Sequence, residues 1–202
     1  MITGARDEDS EVSEVCAAVR DGVNGVQIRR KQASGRELER LVSRVIAALS
    51  GTSARIFVND RLDVALATGA AGVHLPEDGI PVEHARNIAP SEFEIGASVH
   101  SLESAIRADE AGADFVVFGP VFPTSSKPGH PGVGLERLRE VSSGVRIPVL
   151  ALGGVEPERV RATMQAGASG VAGISVFANE RERKRLLASI EGVRTLHREV
   201  KS

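Results

Sequence analysis

Thr124, Ser125, Ser126 and Lys127 share one loop, Gly119-Pro120-Val121-Phe122-Pro123-Thr124-Ser125-Ser126-Lys127, which runs out of an apolar stretch. Hydroxyls donate hydrogen bonds, the lysine adds a compact positive charge, and two prolines lower the entropy of holding a loop open, a composition suited to an anion such as phosphate. Gln27, Arg29 and Lys31 alternate along a predicted strand and so share a face. Two inward cations need an anionic partner, because burying charges unpaired is costly. A pyrophosphate would satisfy them; an internal ion pair between Arg29 and Asp60 is the alternative. Asn59-Asp60 closes another run. Asp60 is placed to hold Mg²⁺ directly or through water and Asn59 to hydrogen-bond a phosphate oxygen, although Asn-Asp after a strand serves more often as a turn and helix N-cap, the expected role of the pair taken alone.

Other chemistries find less support. His74 and His100 each sit at a strand end, the latter two residues after Ser98, but His84, His130 and His197 are dispersed, so no metal-ligand spacing emerges. No Ser-His-Asp order or nucleophile elbow is present. At 202 residues, 42% hydrophobic and 26% charged, the sequence has ordinary globular usage and is expected to form a single domain over 1–202. A net charge of -2 and 3% aromatics, all Phe, offer neither a basic field nor stacking platforms for nucleic acid. Cys16 is alone, which rules out an internal disulfide, and no apolar run is long enough for a membrane span or signal core. The expected location is cytoplasmic.

The elements that must position these residues repeat. Short β-rich runs at 2–5, 25–30, 55–60, 72–76, 94–99, 115–121, 147–154 and 170–177 alternate with Ala/Leu/Arg/Glu-rich stretches. Phe115-Val116-Val117-Phe118 and Pro148-Val149-Leu150-Ala151-Leu152 are continuously apolar, as parallel strands covered on both faces require. Leu38, Leu41, Val42, Val45 and Ile46, then Leu102, Ala105, Ile106 and Ala108 within 101–110, recur at helical spacing. So do Leu186, Leu187, Ile190, Val193 and Leu196 in the final stretch, 181–202. Ala67-Thr68-Gly69-Ala70, Glu110-Ala111-Gly112-Ala113 and Gln165-Ala166-Gly167-Ala168 each place a glycine where a helix ends in a left-handed cap before the next strand, and Asp21-Gly22 is a looser fourth copy. Eight such units over this length predict a small α/β (β/α)8 barrel, with a doubly wound sheet as runner-up; no dinucleotide fingerprint follows the first run. In a barrel, chemistry sits where strands end, and Gly153-Gly154 after the seventh run and Ile174-Ser175 ending the eighth occupy a position that often binds phosphate on backbone N–H groups.

With these ends assembled, Val26-Gln27-Ile28-Arg29-Arg30-Lys31, Val58-Asn59-Asp60-Arg61, Gly72-Val73-His74-Leu75, the 119–127 loop and Leu152-Gly153-Gly154-Val155 resemble, in order and spacing, thiamine phosphate synthase and its TenI-like relatives. The resemblance covers nearly the whole chain. It implies a (β/α)8 transferase of thiamine biosynthesis that joins hydroxymethylpyrimidine pyrophosphate to hydroxyethylthiazole phosphate, with pyrophosphate leaving before the thiazole nitrogen captures a pyrimidine carbocation. By that analogy Gln27, Arg29, Lys31, Asn59, Ser98 and Lys127 face the pyrimidine and its leaving group, with catalytic weight on the last five. Asp60 faces Mg²⁺, and Thr124, Ser126, Gly153, Gly154, Ile174 and Ser175 hold the thiazole phosphate. Such barrels commonly associate, which implies a homo-oligomer.

The chain departs from the synthase pattern after Leu75, where Gly-Gln-x-Asp is replaced by Pro76-Glu77-Asp78-Gly79; Gly79 stands at the matching place and Asp78, one residue away, is left to complete the metal site. Ser98-Val99-His100-Ser101 is more similar to the TenI branch, which implies as alternatives a thiazole tautomerase with His100 as proton shuttle, or a non-catalytic thiazole phosphate-binding regulator. The histidine that TenI-type catalysis uses in the sixth run is here Pro120.

Overall fold

Side-chain alternation along short strands sets the architecture. The computed structural model describes residues 1–4 and 6–199. Among them, strands β1 (Gly25–Ile28), β2 (Arg55–Asn59), β3 (Gly72–Leu75), β4 (Glu94–Val99), β5 (Phe115–Phe118), β6 (Val149–Leu152) and β7 (Gly170–Ala172) form one parallel sheet in sequence order. Helices α1 (Glu8–Arg20), α2 (Gly35–Ala48), α3 (Leu62–Thr68), α4 (Val82–Ile88), α5 (Leu102–Glu110), α6 (Gly134–Gly144), α7 (Val160–Gln165), α8 (Ser175–Ala178) and α9 (Glu180–Glu199) cover its outer face.

The predicted first strand is shorter than expected. Ile2 makes a single parallel bridge with Gln27. Its N–H donates to the Gly173 carbonyl at 2.8 Å, while the Thr3 N–H donates to Gln27 at 2.9 Å and the Gln27 N–H to Met1 at 2.8 Å. Residues 1–3 therefore join β1 to β7 and close the (β/α)8 ring. Beyond Thr3 the chain passes Gly4 toward Asp7, which caps α1 by accepting from the Ser10 N–H, so pairing stops; Ala5 lies outside the described residues. The last run also divides, because β7 ends at Ala172 and residues 175–177 begin α8. A short apolar run does not by itself distinguish strand from buried helix.

Two cores follow from the alternation. Outward-facing Val26, Ile28, Val58, Val73, Leu75, Ile95, Val116, Phe118 and Ala151 are buried with Leu38, Leu41, Val42 and Val45 of α2 and their counterparts on the other helices. Each fully buried Val, Leu or Ile contributes about 1.5–3 kcal/mol of hydrophobic stabilisation. Inside the ring, Ile2, Val117 and Ala172 pack with Phe115, Leu150, Leu152 and Ile174. Asn59, His74, Gly96 and Phe115 pair across four strands at one level. A Cβ on Gly96 would come within 2.3 Å of the Phe115 ring, so the ring occupies the space that glycine leaves.

The repeated glycine caps are left-handed as expected, with φ of 67° at Gly69, 90° at Gly112 and 99° at Gly167. Ser34 and Glu37 form a reciprocal capping box that starts α2 three residues after Lys31, an arrangement worth about 1 kcal/mol that also fixes where the cationic loop ends. In α9, Leu186 and Val193 are buried; the side chains of Leu196 and His197 and residues 200–202 lie outside the described residues. No described helix is long and apolar enough to cross a membrane.

Candidate active site

The C-terminal strand ends surround a cavity of about 1110 Å³. Gln27, Arg29, Lys31, Asn59, Asp60, Asp78, Ser98, His100, Thr124, Ser126, Lys127, Gly153, Gly154, Ile174 and Ser175 all line it. Side chains spread over 149 positions of sequence thus meet in one cup because each follows a parallel strand of the same ring.

On the β1 side, Gln27 is buried and the Arg29 N–H is held by the Thr3 hydroxyl at 3.0 Å. Among the described residues, Arg29, Lys31 and Lys127 have no carboxylate within salt-bridge distance, which rejects the Arg29–Asp60 pair. Arg30, between the two cavity cations, is tied elsewhere. Its Nε and Nη2 lie 2.9 and 2.8 Å from Oε2 of Glu11, which is 1% exposed, and Nη2 also donates to the Arg6 carbonyl. Three consecutive cation-bearing positions are thereby sorted: Arg30 is neutralised on α1, and Arg29 and Lys31 have no carboxylate partner among the described residues.

Asp60 does not serve as the expected N-cap. Arg61 occupies that position without a side-chain bond and instead pairs with Asp63. Asp60 has φ 66°, the one non-glycine residue with positive φ among those described, a conformation that Asp tolerates better than most residues but that still costs about 1 kcal/mol or more. Its N–H donates to the His74 carbonyl at 2.9 Å and its carbonyl accepts from Leu62 at 3.0 Å. This tight turn ends with the carboxylate at the cavity wall and with no side-chain partner among the described residues.

Three contributions were missed by sequence reasoning. His74 is 4% exposed, lies 6.3 Å from the Phe115 ring in a stacked arrangement, and has neither ring nitrogen hydrogen-bonded. Desolvation, reinforced by the Arg29 charge, lowers its pKa to about 4, so a neutral imidazole forms part of the cavity floor. Its alternation with Gly72 on β3 was the available signal. Glu77 accepts or shares a proton with His100 Nδ1 at 2.6 Å, and His100 Nε2 lies 3.4 Å from Lys127 Nζ. Burial raises the Glu77 carboxyl, but hydrogen bonds from Ser104 and His100 outweigh it and leave the pKa below the ordinary glutamate value. These contacts connect β3, β4 and the loop after β5, joining residues with no local pattern between them.

On the β6–β7 side the cavity wall is backbone. Gly153 and Gly154 have φ of 93° and 63°. A Cβ on Gly154 would lie 2.4 Å from the Pro123 carbonyl oxygen and one on Gly153 2.6 Å from Pro120 Cβ, so this turn packs directly on the 119–127 loop. Val121 and Phe122 donate their N–H groups to Leu152 and Gly153 at 2.8 and 3.0 Å, continuing the β5–β6 ladder into the mouth. The third missed contribution, Arg159, holds this turn from behind.

The donor set fits a hard cation. Asp60 and Asp78 present carboxylates to the cavity without side-chain partners among the described residues, and Mg²⁺ is commonly bound by one or two carboxylates together with substrate phosphates. The described residues contain no cluster of three or more His, Cys, Asp or Glu suited to a metal, so the arrangement relies on ligand oxygens to complete the coordination.

Comparison with known proteins agrees with this geometry. The family model for thiamine monophosphate synthase (TMP-TENI) matches residues 1–177. A putative thiamine-phosphate synthase 2 from Aquifex aeolicus is 45% identical over 159 residues, covering 79% of this chain and 85% of that protein. A thiamine-phosphate synthase from Pyrococcus horikoshii is 40% identical over 190 residues, covering 94% of this chain and 90% of that one. The solved thiamine phosphate pyrophosphorylase from Pyrococcus furiosus superposes with a TM-score of 0.85 at 37% identity, covering 95% of each chain. With a closed parallel ring, a cavity at its C-terminal strand ends and these relatives all in agreement, the chain belongs to the thiamine monophosphate synthase family.

Proposed function

We propose that the protein is a thiamine-phosphate synthase, joining hydroxymethylpyrimidine pyrophosphate to hydroxyethylthiazole phosphate and releasing pyrophosphate. The observation that carries the reading is the set of cations without a carboxylate partner among the described residues, Arg29, Lys31 and Lys127, lining the same cavity as the glycine backbone of Gly153 and Gly154. In the reaction, the bond between the pyrimidine methylene and the pyrophosphate oxygen breaks with its electron pair going to pyrophosphate. The thiazole nitrogen lone pair then forms the new C–N bond, giving a thiazolium. No proton must move in either step, which fits a site rich in charge.

Arg29, Lys31 and Lys127 stabilise the growing negative charge on the leaving group, where preorganised charges act most strongly. Gln27, Asn59 and Ser98 orient the pyrimidine from the strand ends. Thr124, Ser126, Gly153, Gly154, Ile174 and Ser175 retain the thiazole phosphate with hydroxyls and main chain. Asp60 and Asp78 would hold Mg²⁺, which when bound neutralises charge on the pyrophosphate oxygens. The synthase is favoured over a tautomerase because the position after Gly119 is Pro120, whose side chain carries no transferable proton. A cytoplasmic homo-oligomer accompanies the reading as its expected setting.

Purified protein incubated with both phosphorylated halves and Mg²⁺ is expected to form thiamine phosphate and pyrophosphate in equal amounts, measured by chromatography. Binding of both substrates without either product would reject synthesis and leave the regulator.

A further inference from the structure

The Gly153-Gly154 turn has no side chains of its own with which to hold its shape, and both residues adopt left-handed backbone at φ 93° and 63°. One residue outside the cavity lining supplies the hold. Arg159 ends the 3-10 turn Pro157–Arg159. Its Nη1 donates to the Gly154 carbonyl at 2.8 Å, and its guanidinium carbon sits 4.8 Å from the centroid of the Phe122 ring. Phe122 in turn gives its N–H to the Gly153 carbonyl at 3.0 Å. Arg159 is itself fixed, because its carbonyl accepts the Thr163 hydroxyl at 2.8 Å. One guanidinium therefore clamps the glycine turn and the base of the Thr/Ser/Lys loop together, by a directed hydrogen bond on one side and a cation–π contact on the other.

The clamp also sets a direction. In a trans peptide the carbonyl and the following N–H point opposite ways, so drawing the Gly154 carbonyl toward Arg159 turns the Val155 N–H away from it. The N–H groups of Gly154 and Val155 have no protein acceptor among the described residues, and both residues line the cavity.

We propose that Arg159 is a positioning residue for the phosphate of the thiazole substrate, holding the Gly154 peptide so that the backbone donors of this turn remain aimed at that anion; the inference rests on the synthase reading above. It separates the two substrates, since the clamp acts at the glycine turn after β6 whereas Arg29 and Lys31 follow β1.

Steady-state kinetics of the full chain and its Arg159→Met and Arg159→Lys variants test this. Arg159→Met keeps a long apolar stem but loses the donor and the charge. Its KM for hydroxyethylthiazole phosphate should rise about tenfold, the scale of one lost hydrogen bond to a charged group, while the KM for the pyrimidine pyrophosphate stays within about twofold. Arg159→Lys should recover most of the loss. By calorimetry, Arg159→Met should weaken hydroxyethylthiazole phosphate about tenfold and leave unphosphorylated hydroxyethylthiazole unchanged. An equal rise in both KM values, an unchanged affinity for the phosphorylated thiazole, or an equal loss for the unphosphorylated one would overturn the proposal. Should Arg159→Met fail to fold, Phe122→Leu, which removes only the ring beneath the guanidinium, should give the same one-sided shift at smaller size, and a two-sided shift would count against it. A wild type that binds thiazole phosphate but forms no product would contradict the synthase reading alone, and the calorimetric pair would still decide the role of Arg159.

Discussion

The two walls of the cavity carry different chemistry. On the β1–β2 wall stand Arg29 and Lys31 with the carboxylate of Asp60; on the β6–β7 wall stand Gly153, Gly154 and Ser175, with no lysine or arginine lining it. Full charges suit a leaving group whose negative charge grows as its bond breaks, whereas a phosphate retained unchanged through the reaction needs only fixed dipoles. The loop after β5 serves both. Its base continues the ladder into the glycine turn through Phe122, and its tip brings Lys127 to within 3.4 Å of His100.

The supports differ as well. The cationic wall is organised by electrostatic sorting, with Glu11 removing Arg30 from competition, while the backbone wall is organised by close packing that leaves no room for a Cβ. The first should respond to charge changes and the second to changes of volume or of the Arg159 clamp.

The largest effect that sharpens this contrast is expected at Lys127. Lys127→Ala should lower kcat about 10³-fold, as loss of a charge aimed at a departing anion does, with thiazole phosphate affinity by calorimetry changed far less. Equal losses at both substrates would merge the two walls into one site. Next in size is Asp60→Asn. Asparagine tolerates the left-handed backbone, so the melting temperature should hold while kcat falls about 10²-fold and more Mg²⁺ is needed for half-maximal rate. An unaltered Mg²⁺ requirement would remove Asp60 from the metal.

The smallest effect at neutral pH concerns the floor between the walls. His74 has its pKa lowered to about 4 from the ordinary histidine value of 6.5, so between those values the unfolded chain binds the proton that the folded chain refuses. Stability from this group is complete above pH 6.5 and is lost as the pH falls toward 4, by up to about 3 kcal/mol. Urea unfolding across that window should show His74→Phe losing less stability than the wild type; identical slopes would mean that the imidazole is not held neutral.

Much of this molecule was legible in its sequence because parallel barrels write their rules locally. Continuous apolar runs marked strands covered on both sides, and glycine at the helix ends announced left-handed caps, whereas β1 ends at Ile28, so Arg29 and Lys31 reach the cavity from the loop after it rather than by strand alternation. What stayed hidden depends on distant partners. Nothing near Arg159 indicates Phe122, 37 positions earlier, and nothing near Arg30 indicates that Glu11 will be its buried counterpart. Asp60 reads as a cap because Asn-Asp before a helix usually is one; its strained turn arises from closing the hydrogen bonds to His74 and Leu62. The helical start at Ser175 was concealed by an apolar stretch compatible with either structure.

The division of labour between the walls is tested most directly by titrating inorganic pyrophosphate, with Mg²⁺, into the wild type and Arg29→Ala, and hydroxyethylthiazole phosphate into the same pair. Loss of the guanidinium should weaken pyrophosphate by tenfold or more, about 1.4 kcal/mol, and leave thiazole phosphate within about twofold. Pyrophosphate binding that is indifferent to Arg29, or a matching loss for both ligands, would contradict the account.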